Sequence, residues 1–483
     1  MSTADIVIQK LRPVIFPIFM IIFAVLLGSV SHSHPNLALG IMGACLYGVC
    51  LFVKPIWAYY FMILATLNFL GFATEHFLAL PGAFKLRDIT LFALFVPIIF
   101  DIAVDRQLAQ YFKTPMNKYL FCLLGFVMFI TVYTCLVYDV SFTSSLRIAR
   151  KYFFYASFFP FMFLIKTEAD FKSTVNVFLF FAVTQAILMI VQFSIGLNVI
   201  IMPGLKMEYQ QLSGLYLPRI YLRGGEALLA LFFGISFWIY QTTKNKKYLY
   251  IVFLTGIASF LQFGRASWLK QIIIMLFPLI FTKPSTRIRY LNSTLIFIGA
   301  ILLISIAAHF TGLRTFELFS KVYEHMQSTF SDFINRTGTF GGRLKEYVEQ
   351  INLFLQNPIF GVGFLHNIAA EESVKAVIVK DLSVETVDSG LLSLLTTMGI
   401  GGVIVFSTLS SAFIFRCIKI LRNVSDPYYR GIIFGCFSYF VGGLATFITL
   451  PFFTFLYEVP YIIIAFALVE KISQLNQKKN ESI

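Results

Sequence analysis

Residues 118–138 of the chain read KYLFCLLGFVMFITVYTCLVY, and this stretch decides the class of fold. After Lys118 it holds no charged residue, and its length is close to the ~20 residues that an α-helix needs to cross a bilayer. Because lipid offers no water to backbone polar groups, a run of this kind must be helical. Its unbroken apolarity excludes the strand of a membrane barrel, in which apolar and polar residues alternate.

Apolar runs of this kind recur along the whole chain. The sequence has 483 residues, of which 58% are hydrophobic and only 13% are charged, whereas a soluble domain is about one-quarter charged. We therefore predict an all-α, polytopic integral membrane protein with about 14 transmembrane helices. The predicted spans are 13–31, 36–53, 55–72, 88–105, 118–138, 144–165, 172–195, 225–241, 248–264, 266–282, 291–309, 387–416, 429–449 and 451–470.

The predicted spans form two groups that a long loop separates. The first span follows Lys10 and Arg12, and its length indicates a retained signal anchor rather than a cleaved signal peptide. The separating loop is far longer than a connector needs to be. The predicted regions are spans 1–11 at 1–309 with an outer loop at 196–225, the large loop at 310–387, spans 12–14 at 388–470 and a tail at 471–483.

The large loop is predicted to be partly helical. Its helical pattern ends at Asn357-Pro358, and its polar face carries Arg343, Glu346 and Gln350. The apolar residues that recur at three-to-four spacing are Leu344, Val348, Ile351 and Leu355.

Lysine and arginine residues in the short loops give the orientation, because they are enriched on the cytoplasmic side. With the amino terminus inside, alternation of the spans places every strongly basic short segment inside as well. Both termini are then cytoplasmic, and the loops at 196–225 and 310–387 face the periplasm. The basic segments are 105–118, 244–247, 283–289, 416–430 and 471–479.

The charge and the cysteines exclude two other classes of protein. The net charge of +14 does not indicate nucleic-acid binding, since the basic residues lie in short clusters between apolar runs. The six cysteines include no CxxC pair, so neither a disulfide framework nor a zinc site is predicted. No metal and no other cofactor is expected.

Basic residues on the predicted outer face run against the orientation rule and therefore mark a candidate site. Arginine binds phosphate bidentately and keeps its charge in a partly desolvated site, so these residues are suited to a lipid pyrophosphate. The alternative is that they extend to the interface, pair with carboxylates or contact anionic lipid headgroups. They are Arg147, Arg150, Lys151, Arg219, Arg223, Arg265, Arg336 and Arg343.

A general base would complete such a site, and four residues are candidates. Asp388 precedes a predicted helix, where an aspartate can also act as the helix cap. His366 follows Gly361-Val362-Gly363, which lacks the strand and the Lys-Ser/Thr of a nucleotide loop. The remaining candidates are Glu226 and Glu346.

Several of these motifs resemble the O-antigen polymerase and ligase superfamily. Gly342-Arg343, the helix that follows and Asn357-Pro358-Ile359-Phe360-Gly361-Val362-Gly363 resemble its outer-loop signature. The segments Val387-Asp388-Ser389-Gly390-Leu391-Leu392 and Met398-Gly399-Ile400-Gly401-Gly402 resemble the next part of that signature. Arg265 in Gly-Arg-Ala-Ser-Trp is similar to the family's arginine in a short outer turn, and the layout covers the whole chain.

The resemblance implies a GT-C-like fold and a metal-independent glycosyltransferase of the bacterial inner membrane. Its substrate would be an undecaprenyl-pyrophosphate-linked glycan. Arg265 and Arg343 would hold the pyrophosphate, and Arg219 and Arg223 would hold the donor or acceptor phosphate. Asp388 or Glu226 would deprotonate the acceptor hydroxyl for attack at the anomeric carbon.

The sequence favours a Wzy-type polysaccharide polymerase of O-antigen or exopolysaccharide. We expect contact with membrane lipid, and a chain-length regulator and a flippase as protein partners. The first alternative is an O-antigen ligase that transfers the glycan to lipid A core. In the ligase branch, a histidine stands where Asp388 stands here. The second alternative is a transporter or flippase of lipid-linked sugars, for which charges near the bilayer midplane and paired repeats would be typical.

Overall fold

The computed structural model describes residues 35–66, 86–195, 206–212, 215–221, 225–262, 264–281, 338–365 and 389–481, together with isolated positions between 199 and 299. The predicted span 13–31 lies outside the described residues, and most of the predicted span 291–309 does too. The α-helices in chain order are α1 (Pro35–Val53), α2 (Pro55–Thr66), α3 (Leu86–Ala93), α4 (Phe95–Val104), α5 (Asn117–Tyr138), α6 (Phe142–Phe153), α7 (Phe158–Leu164), α8 (Glu168–Ile195), α9 (Gly225–Thr243), α10 (Lys246–Phe260), α11 (Arg265–Leu276), α12 (Gly338–Gln356), α13 (Gly390–Asn423), α14 (Pro427–Thr446) and α15 (Val459–Glu481). Short 3-10 helices occupy Arg106–Phe112, Phe154–Ser157 and Phe277–Phe281.

Four of the described helices are long and apolar enough to cross a membrane. They are α5, α8, α13 and the part of α15 at Val459–Gln477. Their outward side chains are apolar, as in α5, where Leu136 is 77% exposed and Phe121 is 60% exposed. An apolar surface of this kind is stable against lipid and unstable in water. The fold is that of a polytopic membrane protein, as predicted, and the number of fourteen spans remains a prediction.

The core of the bundle is built around helices that are buried on all sides. In α9 nearly every residue from Ala227 to Ile239 is buried, and α14 packs directly against it. A Cβ on Gly435 would lie 2.4 Å from the Cα of Ile235, and one on Gly431 would lie 2.6 Å from the Cα of Ile239. Glycines four positions apart thus let the two backbones approach closely, which is a common way of packing helices in membranes.

One described segment outside the predicted spans forms β-strands. Within the predicted outer loop 196–225, strands β1 (Lys206–Leu212) and β2 (Leu215–Tyr221) form an antiparallel hairpin. Two paired strands satisfy each other's backbone groups along one edge only, so this arrangement is suited to a loop outside the hydrocarbon layer. In the register of this hairpin, Arg219 lies opposite Glu208.

Two predicted spans are less regular than their apolarity indicated. The predicted span 144–165 is interrupted by the 3-10 helix Phe154–Ser157. Pro160 lies just beyond this interruption and has no N–H to donate to a carbonyl of the preceding turn. The predicted span 451–470 begins only at Val459. Residues 451–458 instead form turns, closed by hydrogen bonds such as that from the Phe455 N–H to the Pro451 carbonyl at 2.7 Å.

The helix predicted in the large loop is present as α12, but the side of it that is buried was not predicted. Val348 is 53% exposed and Leu355 is 64% exposed. Gln350, predicted on the polar face, is buried, and so is Leu353. The carbonyl of Gln350 accepts a hydrogen bond from Thr396 Oγ1 of α13 at 3.4 Å. The side of α12 that carries Val348 and Leu355 is thus exposed within the described part of the chain, and the side that carries Gln350 and Leu353 packs inward.

Candidate active site

Helices α9 and α11 are joined at their first turns by a pair of side chains. Glu226 is the second residue of α9, and Ser267 is the third residue of α11. The hydroxyl of Ser267, which is buried, donates a hydrogen bond to Oε1 of the half-buried Glu226. Arg265 is the first residue of α11. The bond therefore brings the helix start that carries Arg265 next to Glu226, and these are two of the predicted site residues.

A buried ion pair lies one turn further along α11. Lys270 is only 1% exposed, and its Nζ lies 3.3 Å from Oε2 of Glu458. The hydroxyl of Tyr439 donates to the same oxygen at 2.9 Å. The ammonium also lies 4.6 Å from the centre of the Tyr439 ring and 4.9 Å from that of Phe452, within the range of cation–π attraction. Lys270 follows Ser267 by three residues, so this ion pair lies about one helical turn from the contact between Ser267 and Glu226.

The segment between α14 and α15, residues 447–458, also contacts the start of α13. The N–H of Leu391 donates to the carbonyl of Phe447 at 3.2 Å. Gly390 fits because a Cβ there would lie 2.5 Å from the carbonyl oxygen of Leu450. Four helices, α9, α11, α13 and α15, therefore begin at one end of the bundle. Helix N-termini carry partial positive charge, so their convergence favours an anion at this end.

The cap of α13 is Ser389 rather than Asp388. The Ser389 Oγ accepts a hydrogen bond from the N–H of Leu392 at 3.4 Å, and Ser389 is buried. Asp388 itself lies outside the described residues. Because the neighbouring serine caps the helix, the interpretation of Asp388 as the helix cap was wrong, and its interpretation as a candidate base remains a prediction.

A second group of charges approaches the same segment from α3 and α6. Arg150 of α6 lies 3.9 Å from the carboxylate of Asp88, which is only 3% exposed. Next to it, the guanidinium of Arg87 lies 5.8 Å from the ring centre of Tyr457, the residue that precedes Glu458. Arg150 is therefore paired with a carboxylate, which was the alternative to pyrophosphate binding for the basic residues of the outer face. Arg147, on the same helix, is half buried and forms no ion pair within the described residues.

The signature Asn357–Gly363 forms a junction between the large loop and two spans. Helix α13 breaks at Gly399, whose φ is 62° and ψ is −160°. The N–H groups of Ile400 and Gly401 donate to the carbonyls of Pro358 and Ile359 at 2.8 and 3.0 Å, in place of carbonyls of their own helix. The N–H of Val362 in turn donates to the carbonyl of Thr396, at 2.7 Å. Loop backbone thus satisfies the polar groups that the break exposes.

Backbone conformation and steric contact explain why glycine occupies two positions of this junction. Gly361 and Gly363 have φ values of +68° and +78°, which only glycine adopts readily. A Cβ on Gly363 would lie 2.0 Å from Oγ1 of Thr134 in α5, and that Oγ1 accepts a hydrogen bond from the Phe364 N–H at 2.9 Å. Asn357 Nδ2 also donates to the hydroxyl of Tyr138, at 3.1 Å. The end of α12 is therefore held against both α5 and α13.

Residues 212–407 match the model of a family described as O-antigen ligase. The match confirms the resemblance of the chain to the O-antigen polymerase and ligase superfamily. In this chain, the matched region runs from the end of strand β1 to the middle of α13, and it contains Glu226, Ser267 and Lys270. This family acts on lipid-linked glycans in membranes, so the match implies a glycosyltransferase-like transferase of lipid-linked sugars. No curated protein matches the chain.

The remaining predicted site residues lie on elements of the matched region or outside the described residues. Arg219 is on β2, and Arg343 and Glu346 are on α12. The residues that lie outside the described part are Arg223, Arg336, His366 and Asp388.

Sequence reasoning missed Arg87, Asp88, Lys270 and Glu458. A signal for two of them was present. Glu458 is the only charged residue from Gly431 to Val469, and Lys270 is the only one from Ala266 to Thr282. An ionisable residue inside an apolar span indicates a functional site by default.

Proposed function

We propose that the protein is a polysaccharide polymerase that works on the periplasmic face of a bacterial inner membrane. It transfers a growing glycan from undecaprenyl pyrophosphate onto the sugar of a new lipid-linked repeat unit. The coarser activity, transfer of a lipid-linked sugar, follows from the family match of residues 212–407. The polymerase reaction, the identity of the lipid and the orientation are the proposal.

The observation that carries the proposal is the convergence of four helix starts on the segment 447–458. This end of the bundle holds the start of α11 with Arg265, the start of α9 with Glu226, and the buried charges Arg87 and Lys270. A pyrophosphate is a dianion or trianion that needs cationic partners to leave. Positive charge fixed where negative charge develops stabilises that departure most.

The proposed division of roles follows the chemistry of each residue type. Arg265 and Arg343 bind the pyrophosphate bidentately, and Arg219 with Arg223 binds the donor or acceptor phosphate. A carboxylate accepts the proton of the acceptor hydroxyl as that oxygen attacks the anomeric carbon. Asp388 and Glu226 are the candidates from the sequence for this carboxylate.

The description of the matched family favours one second candidate, the O-antigen ligase. Such a ligase transfers the same donor glycan to lipid A core. The feature that favours a polymerase is Asp388, which stands where the ligase branch has a histidine.

Purified full-length protein in liposomes with synthetic lipid-linked repeat units tests the proposal. We expect a ladder of products on a gel, each one repeat unit longer than the last. Arg265→Ala and Arg343→Ala should abolish the ladder at normal protein levels, and full activity in both would refute the proposed binding roles.

The same liposomes can decide between the alternatives. Glycan that appears on lipid A core, with no ladder, would establish the ligase. Movement of the repeat unit across the bilayer without a new glycosidic bond would establish the flippase.

A further inference from the structure

The carboxylate of Glu458 has one oxygen engaged and one oxygen open. Lys270 Nζ and the Tyr439 hydroxyl both bind Oε2, at 3.3 and 2.9 Å. Oε1 makes no hydrogen bond with any group that the structure describes. Two donors on one oxygen fix the orientation of the carboxylate and leave the other oxygen as an acceptor.

The surroundings of Glu458 are those of an enclosed site. The side chain is 12% exposed, so the carboxylate is largely shielded from the surroundings of the bundle. Phe452 and Phe453 of the same segment are buried. In such a surrounding a charged group interacts more strongly with a bound partner than it would in water.

Glu458 lies at the same end of the bundle as the residues of the proposed site. It directly precedes the first residue of α15, and its partner Lys270 is one turn after Ser267, which binds Glu226. On its other side, Tyr457 contacts the guanidinium of Arg87. An acceptor sugar held at this end would have cationic groups and a carboxylate oxygen close together.

We propose that Glu458 is the general base of the transfer reaction, with Lys270 and Tyr439 as positioning residues. This inference rests on the proposed function. The acceptor hydroxyl oxygen forms a bond to the anomeric carbon of the donor sugar while the bond from that carbon to the pyrophosphate oxygen breaks. The hydroxyl proton passes to Oε1 of Glu458, and the lipid pyrophosphate leaves with the bonding electron pair.

Glu458 fits this role better than Glu226 does. Oε1 of Glu226 already accepts the hydrogen bond of Ser267, and Glu226 has further interactions besides. A base must offer a lone pair toward the substrate hydroxyl at hydrogen-bond distance. In the described part of the chain, Oε1 of Glu458 offers that lone pair.

The first test compares wild type and Glu458→Gln in the liposome assay with lipid-linked repeat units. Removal of a general base lowers the rate by ~100-fold to 10,000-fold, so kcat should fall in that range while KM for the acceptor changes by less than about threefold. Glu458→Asp should regain part of kcat because it restores a carboxylate. Normal kcat in Glu458→Gln would overturn the inference.

A double variant that makes both partners neutral distinguishes a catalytic role of Glu458 from a purely structural role of its ion pair. Replacing both partners of a buried pair with neutral residues often restores stability, because no unpaired charge is left. If the pair is only structural, Lys270→Met combined with Glu458→Gln recovers activity. If Glu458 is the base, the double variant folds with a normal melting temperature and stays as slow as Glu458→Gln.

The chain offers a matched control at the other end of the bundle. Arg416 Nε lies 2.7 Å from Oε1 of Glu470, which is 1% exposed. Arg416→Met combined with Glu470→Gln also removes a buried pair, and it should leave kcat within about threefold of wild type. A loss equal to that of the Lys270 and Glu458 double variant would show that the loss reflects structure and would overturn the inference.

The failure of this inference differs from the failure of the proposed function. Wild type that forms no ladder refutes the polymerase, and the inference falls with it. Wild type that forms a ladder, together with an equally active Glu458→Gln, refutes the inference alone.

Discussion

Lys270 and Glu458 form an ion pair of 3.3 Å although 188 positions separate them in the chain. Lys270 belongs to α11, and Glu458 directly precedes α15. Removing one partner of a buried pair leaves a charge without compensation, whereas removing one partner of an exposed pair changes little. The pair therefore ties two helices together at the end of the bundle where the candidate site lies.

Replacing Lys270 alone tests the stabilising part of this pair. Lys270→Met should lower the free energy of unfolding by about 3–5 kcal/mol, because it leaves the Glu458 carboxylate buried without its cation. The measurement is thermal or denaturant unfolding in detergent. Lys172→Met is the control, since Lys172 and Glu168 form a pair in which both side chains are about half exposed, and it should cost less than about 1 kcal/mol. Equal losses in the two variants would contradict the prediction.

The helix break at Gly399 gives a second prediction. Gly399→Ala should detach the loop 357–365 from α13, because φ of 62° with ψ of −160° is open only to glycine and a Cβ would lie 2.3 Å from the carbonyl oxygen of Ile359. Hydrogen exchange of Val362, Ile400 and Gly401 should accelerate, and the product ladder should weaken.

Gly125→Ala is the control for Gly399→Ala. A Cβ on Gly125, inside α5, meets no atom within 4 Å. It should therefore leave exchange unchanged and stabilise the helix by up to about 1 kcal/mol. Slow exchange at Ile400 and Gly401 in Gly399→Ala would show that the loop is not held by this break.

The close approach of α9 and α14 gives a third prediction. Gly435→Ala should lower the free energy of unfolding by about 1–3 kcal/mol, because its Cβ would meet the backbone of Ile235, which cannot move aside as a flexible side chain does. Unfolding in detergent measures this loss. Gly48→Ala is the control, since a Cβ there has open space within 4 Å. If both variants unfold alike, the two helices are not packed through Gly435.

The bond between Ser267 and Glu226 gives a fourth prediction. Ser267→Ala removes the only hydroxyl of that pair, so Glu226 loses a donor that holds it beside the start of α11. Loss of a hydrogen bond to a charged group costs about 1.5–3 kcal/mol, and the rate of chain extension should fall. Ser267→Thr, which keeps the hydroxyl, should retain most of the rate. A Thr variant as slow as the Ala variant would show that the side-chain volume, and not the hydrogen bond, is what matters.

Much of the helical framework could be predicted from local composition. The apolar run 118–138 became the helix Asn117–Tyr138, and the run 172–195 lies within Glu168–Ile195. A helix inside the large loop that ends at Asn357-Pro358 was also predicted, and the structure has it at Gly338–Gln356. These predictions succeed because lipid forces any long apolar segment to satisfy its own backbone hydrogen bonds, whatever its neighbours are.

The interruptions of this framework could not be predicted in the same way. The break at Gly399 is stable because the carbonyls of Pro358 and Ile359 come to it from another segment. Residues 451–458 form turns, although they lie in an apolar run from which the beginning of a transmembrane span was predicted. Whether a carbonyl or an N–H can leave its helix depends on a partner that is distant in the chain, and hydropathy contains no information about that partner.

The features of the candidate site can likewise be divided into those that the sequence predicted and those that only the tertiary structure decided. The sequence by itself determined a membrane protein and a family resemblance, and it predicted a set of outward arginines that includes Arg265 and Arg150. Only the tertiary structure decided that Arg150 pairs with Asp88, that Ser389 caps α13, and that Lys270 meets Glu458. The physical reason is that apolarity acts on each segment alone, whereas a buried charge is stable only beside the group that compensates it.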